Sequence, residues 1–224
     1  MNLKEWTSFL HDSSMTVQER IFRMFTLTGL LALSLITVIG VFIGEHISDI
    51  VILAGSLSTV SLVTLLSLRF KRVQLGAVLI GILAIFIILP GAFILSGGTH
   101  GGTALWSVFI FCYIILTVRG KSKVVLAIFA MIITLACYGI ERYIPEIIIP
   151  HDEKSAFYDS LFSVTLISLF LGIFIQFQNI IHKEENDIVR NQKKEIEELN
   201  RAQNRFFSNM SHEIRTPINT ASSV

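Results

Sequence analysis

Six long apolar runs constrain this chain more than anything else in it. They cover approximately Met24–Ile43, Ile50–Leu68, Leu75–Leu95, Ala104–Val118, Val124–Ile140 and Leu161–Phe177. Crossing roughly 30 Å of hydrocarbon takes about 20 predominantly apolar residues, and the fourth and fifth runs are short by that measure. Lipid offers no partner to backbone N–H and C=O groups, so each run is expected to be a helix. The strict alternation of a transmembrane β-strand is absent. Composition agrees: 52% of the 224 residues are hydrophobic and 16% charged, against about 25% charged in an ordinary soluble domain. The charges are also unevenly spread, sparse up to about residue 180 and dense from Lys183 to Arg205. The net charge of +1 hides that clustering and says little about partners. Cys112 and Cys137 both lie inside apolar runs and read as small buried side chains, not as a disulfide framework. No cleavable leader is expected, because the first run begins near residue 21, is long enough to span, and is not followed by an A-x-A-like site.

Basic residues in the short connections set the expected orientation. Arg20 and Arg23 precede the first run, Arg69, Lys71 and Arg72 follow the second, Arg119, Lys121 and Lys123 follow the fourth, and Lys183 follows the sixth. The alternate connections hold Glu45, His46 and Asp49, the uncharged 96–103 stretch, and a 142–160 segment with two basic residues. Both termini are therefore expected in the cytoplasm. Before the first span, Leu3, Trp6, Phe9 and Leu10 suit either a short interfacial helix or a loosely ordered tail.

Two outer segments invite a binding role. Ser96–Gly102 reads SGGTHGG, and glycines such as Gly97 and Gly98 allow positive φ and close approach of a ligand. His100 suits a ligand contact or a proton sensor, and Trp106 follows shortly after. The same residues also suit a plain tight turn with an interfacial tryptophan anchor. The second segment carries Ile144-Pro145-Glu146-Ile147-Ile148-Ile149-Pro150, an apolar stretch too short to span, which suits a surface segment or a lid over the bundle. Gly97, Gly98, His100, Trp106 and Glu146 are the candidate sensing residues. Ser and Thr within the first two spans read as helix-packing groups. No charged residue sits at a midplane, as a pump or proton-coupled carrier usually requires. A membrane transporter or channel-like protein with a helical tail is the alternative class.

Beyond the sixth run, no Pro or Gly occurs between Ile173 and Pro217, so one helix can run from the membrane to the end of the chain. Ile181, Ile188, Ile196, Leu199, Phe206 and Met210 follow steps of 7, 8, 3, 7 and 4, a coiled-coil seam with one irregular step. A single solvated helix fits the same spacing.

The stretch Phe206-Phe207-Ser208-Asn209-Met210-Ser211-His212-Glu213-Ile214-Arg215-Thr216-Pro217-Ile218-Asn219 closely resembles the phosphoacceptor box of sensor histidine kinases. The apolar region is similar to theirs in layout only. Phosphoryl transfer to nitrogen needs a neutral, exposed imidazole, and the resemblance makes His212 the phosphoacceptor. It implies that Glu213 is the acid/base partner holding the other ring nitrogen. It also implies that Thr216 orients a water for dephosphorylating the partner regulator, and Asn219 closes the matched stretch. Thr216 lies four residues on from His212 and shares its helix face. Pro217 crowds the carbonyl of Glu213 and is expected to bend the helix. A zinc-protease motif would need histidine at 216, so no metal site is expected.

The expected architecture is all-α. It comprises a cytoplasmic segment over 1–20, a six-span sensor domain over 21–181, a coiled-coil signalling helix over 182–205, and the start of a dimerisation and phosphotransfer domain over 206–224. The resemblance implies a homodimer in a bacterial cytoplasmic membrane, answering a small-molecule or peptide stimulus. It also implies transfer to a response regulator or fused receiver domain, with lipid but not nucleic acid as a further partner. The chain itself is expected to hold no cofactor and to be inactive alone, ATP and Mg²⁺ belonging to a catalytic domain that would follow the box.

Overall fold

The computed structural model describes residues 16–44, 46–150 and 152–221, with backbone alone for Ile43, Phe206, Ser208, Asn209 and 211–221. The expected interfacial helix at the N-terminus, with Leu3, Trp6, Phe9 and Leu10, lies outside the described residues.

The described chain is helical, without strands. Its elements are α1 (Val17–Ile43), α2 (Ile47–Arg69), α3 (Val73–Leu83), a π-helical turn (Ala84–Ile88), α4 (Leu89–Leu95), α5 (Thr103–Thr117), α6 (Lys121–Tyr143) and α7 (Glu153–Ala221). Single 3₁₀ turns sit at Gly98–His100 and Pro145–Ile147. Five helical stretches are long and apolar enough to cross a bilayer: Val17–Phe42, Ile47–Arg69, Val73–Leu95, Lys121–Tyr143 and Glu153–Arg205. Helix α5 has 15 residues, or about 22 Å at 1.5 Å per residue, and falls short of that length. The fifth apolar run, which looked short in sequence, is extended by polar turns at both ends into the 23 residues of α6.

Local chemistry explains where helices begin and bend. Thr16 caps α1, its hydroxyl accepting from the Glu19 amide at 3.3 Å, with Glu19 at the capping-box position. Gly44 ends that helix at φ 82°, a conformation that favours glycine. Pro90 has no N–H to give, and its ring would meet the carbonyl four residues back. The helix absorbs this by widening into the π turn, where the Leu89 amide reaches Ala84 O, so Val73–Leu95 continues unbroken.

Among the described residues the bundle up to Ile175 is one compact unit, and the helix from Gln176 onward is a second. The first is apolar outside and polar in part inside. Leu31, Val38, Phe42 and Leu135 are more than half exposed, whereas Thr26, Ser56, Thr64, Ser67 and Thr117 are buried. Each of those hydroxyls donates to the carbonyl four residues back, at 2.6–2.7 Å. Such a distribution is costly in water and suits lipid, so the architecture is that of a helical membrane protein. Its aromatic centre is Phe25, whose ring lies 5.1 Å from Phe109, 5.5 Å from Tyr113 and 4.4 Å from Phe174. The side chain of Ser67 occupies the space a Cβ on Gly76 would need, which brings α2 and α3 together closely.

Polar contacts define two ends of this unit. At one end Gln74 ties three elements: its Oε1 accepts from Gln18 Nε2 at 2.5 Å and from the Arg119 amide at 3.2 Å, and its Nε2 donates to Arg119 O at 3.0 Å. Arg20, Arg23, Arg69, Arg72, Lys121 and Lys123 belong to the helix ends gathered here. The opposite end holds Asp49, Glu141 and Asp159. Because Gly102 is bonded at the acidic end and Arg119 at the basic end, α5 joins the two despite its length.

Candidate functional site

The glycine-rich turn is built by backbone requirements first. Gly97 and Gly98 take φ of 77° and 63°, in the left-handed region where a side chain is strained. Both are buried. A Cβ on Gly98 would meet the Glu141 carboxylate at 2.9 Å, so the loop lies directly on that acid. Glu141 then fastens it, accepting from the Thr99 amide at 2.9 Å and the Thr99 hydroxyl at 2.6 Å. Asp159 fastens the other side, accepting from the Gly102 amide at 2.5 Å. Two acids, 42 and 57 residues away in sequence, thus satisfy loop N–H groups that no helix serves.

Trp106, one turn into α5, donates from Nε1 to Ser163 Oγ at 3.0 Å, and Ser163 in turn donates to Asp159 Oδ1 at 3.4 Å. Trp106 is also a wall of an internal cavity of about 130 Å³. One face of α1 (Phe25, Gly29, Leu33 and Ile36) lines the cavity over twelve residues, about 16 Å of helix. Most of the remaining wall is apolar, including Val60, Ile80 and Ala84. Polar groups gather at the acidic end: Asp49, Ser96, Thr103 and Asp159. Asp49 is 1% exposed. Its Oδ2 accepts from Ser96 Oγ at 2.8 Å, while its buried Oδ1 has no hydrogen-bond partner among the described residues.

The candidate sensing residues therefore separate. Trp106 lines the cavity. Gly97 and Gly98 shape the loop above Glu141 and are not part of the cavity wall. His100 is exposed, and its carbonyl accepts from Ser160 Oγ at 3.4 Å. Glu146 is exposed on the 3₁₀ turn, in a segment that the Ile149 amide pins to Ile94 O at 3.0 Å. The residues that sequence reasoning missed are Asp49, counted only as a loop charge, and Glu141, Asp159 and Ser163. The sequence signal for the three acids was their place alone, carboxylates within two turns of span ends, and nothing local linked them to the glycine loop.

The histidine box lies on α7, whose backbone is helical from Glu153 to Ala221, Pro217 included. The side chains of His212, Glu213, Thr216, Pro217 and Asn219 lie outside the described residues. Higher on the same helix Ile188, Ile196 and Leu199 are all more than half exposed in the single chain. No group of three or more His, Cys, Asp or Glu residues among those described is placed to hold a metal ion. Comparison with family models, with curated proteins and with solved structures finds no match.

Proposed function

We propose that this chain is the membrane-embedded input region of a sensor histidine kinase, with His212 as phosphoacceptor. The observation that carries the reading is the fourteen-residue box 206–219, borne by a helix with no break between Glu153 and Ala221. A stimulus at the outer end of the bundle biases α7 between two arrangements, and so changes access of an ATP-bound catalytic domain to His212. Glu213 orients the imidazole, and Thr216 positions a water that hydrolyses the phosphoryl group from the regulator.

Six crossings with both termini in the cytoplasm would put His212 on the side where ATP is found. The basic clustering of Arg20, Arg23, Arg69, Lys71, Arg72, Arg119, Lys121 and Lys123 supports that orientation. The passage of α5 from the acidic to the basic end supports counting it as a crossing. The outward-facing Ile188, Ile196 and Leu199 support a two-stranded seam between copies of the chain.

The test is phosphorylation from γ-labelled ATP, in native membranes, of the longer protein that carries the ATP-binding domain after the box, beside its His212→Gln variant. Acid-labile label on the first alone is expected. Equal labelling of both would refute His212 as the acceptor.

A further inference from the structure

The geometry points to the cavity at the acidic end as a binding site for a cationic amphiphile: a primary ammonium head against Asp49, with a slender apolar tail lying along α1. This deepens the signalling proposal as far as the ligand is a stimulus, but binding itself does not depend on that proposal.

Three observations combine. First, Asp49 is buried and keeps one carboxylate oxygen without a donor, although Ser96 serves the other. Leaving a buried acceptor unsatisfied costs more than its hydrogen bond would contribute, so an ordered site of this kind calls for a donor from elsewhere. Asp49 sits in the first turn of α2, yet none of that turn's backbone N–H groups reaches Oδ1. Second, polarity is one-sided. Asp49, Ser96, Thr103 and Asp159 cluster at one end, whereas toward the other the wall is apolar but for Thr26 and Tyr113, whose hydroxyls are spent on Phe22 O and Ala77 O. Third, the cavity follows α1 from Phe25 to Ile36, about 16 Å of helix, a path that a straight apolar chain can take. A head bearing N–H donors and positive charge completes Asp49. The Asp159 carboxylate, held by the Gly102 amide and by Ser163, adds a second negative charge at the same end without needing to move. A carboxylate head would be repelled there, and a hydroxyl head would bring a donor without the charge.

The probe is n-octylamine, compared with octan-1-ol and octanoate of equal tail length. The full chain carries Trp6→Phe and sits in nanodiscs, so that Trp106 in the cavity wall is the sole tryptophan reporter. Octylamine is expected to shift Trp106 emission saturably, above the background of empty nanodiscs. Asp49→Asn should weaken octylamine at least about tenfold and leave octan-1-ol unchanged, because only the charge-assisted contact is lost. Gly29→Leu places a side chain in the cavity, where a Cβ would meet only Phe109 at 3.8 Å, and should abolish saturation. The inference is overturned by equal affinity for all three probes, by an Asp49→Asn variant that binds octylamine as before, or by a linear response matching empty discs. If Asp49→Asn does not fold, saturable binding retained by Gly29→Leu overturns it equally. Binding that persists in His212→Gln while octylamine leaves phosphorylation unchanged would sink the stimulus role alone and leave the site standing.

Discussion

Gly102→Ala separates two effects that usually act together. Gly102 has φ −73° and ψ −15°, a conformation any residue adopts, so chain entropy alone predicts that alanine stabilises by about 0.4–1 kcal/mol. Packing predicts the reverse. A Cβ there would overlap the side chain of Ser163 and lie 2.7 Å from the carbonyl oxygen of Asp159, and the latter is backbone that cannot swing away. Overpacking of this kind costs about 1–3 kcal/mol, and at its mid-range of about 2 kcal/mol the net loss is about 1–2 kcal/mol. For a chain of this length that is an apparent midpoint lowered by about 2–8 °C. The matched control is Gly139→Ala in α6, where a Cβ meets nothing within 4 Å and the change should be neutral or stabilising. Thermal unfolding of both variants in the same detergent, followed by circular dichroism, gives the comparison. Trp106 emission should also change in Gly102→Ala, since its Nε1 bonds to Ser163. A Gly102→Ala protein as stable as the parent, or a larger loss for Gly139→Ala, would refute the close contact between α5 and α7.

Phe25→Ala should lower stability by less than the ~3–5 kcal/mol typical of water-solvated cores, because lipid removes the transfer contribution and leaves the lost packing of three aromatic neighbours; urea or SDS titration measures it. Glu141→Gln keeps one acceptor oxygen where two are used, so hydrogen exchange at the Thr99 amide should accelerate roughly tenfold, and unchanged protection would remove Glu141 as the loop's anchor. In a Cys112→Ser, Cys137→Ala background, His100→Cys should react with an impermeant maleimide on intact cells and Lys121→Cys only after permeabilisation. The opposite pattern would invert the proposed orientation.

The spans were readable because a bilayer demands a property that local composition reports directly. The runs ending at Ile43 and Leu95 match helix ends, and even Pro90 does not interrupt the third, since a π turn repairs it. Other ends were harder to read. The 142–160 connection conceals about two turns of α7, because charged residues at span ends belong equally to helices and to loops. The glycine turn was visible as a turn, but not what holds it. Glu141 and Asp159 come from distant positions, and no local pattern reports a pairing that only the bundle creates. Asp49 was hidden differently: its type and place suggest a solvated helix start, and only burial by Ser96 and its neighbours gives it another meaning.

The π turn has one more consequence, which concerns angular register. Ile80, Ala84, Ile88, Ala92 and Ser96 recur every fourth residue and all line the cavity. On a plain α-helix such a series drifts by about 40° at each step, so its two ends would face directions about 160° apart. Accommodating one extra residue in the wide turn cancels about 100° of that drift. Deleting a single residue from Ala84–Ile88 would remove the extra residue along with the wide turn and leave that alignment in place. Closing the turn to plain α geometry with every residue kept would instead swing Ala92 and Ser96 by about 100° away from Ile80, parting the donor that serves Asp49 from the apolar wall beneath it. The turn thus acts as a phase corrector, letting a four-residue sequence rhythm draw a straight line down one side of the helix.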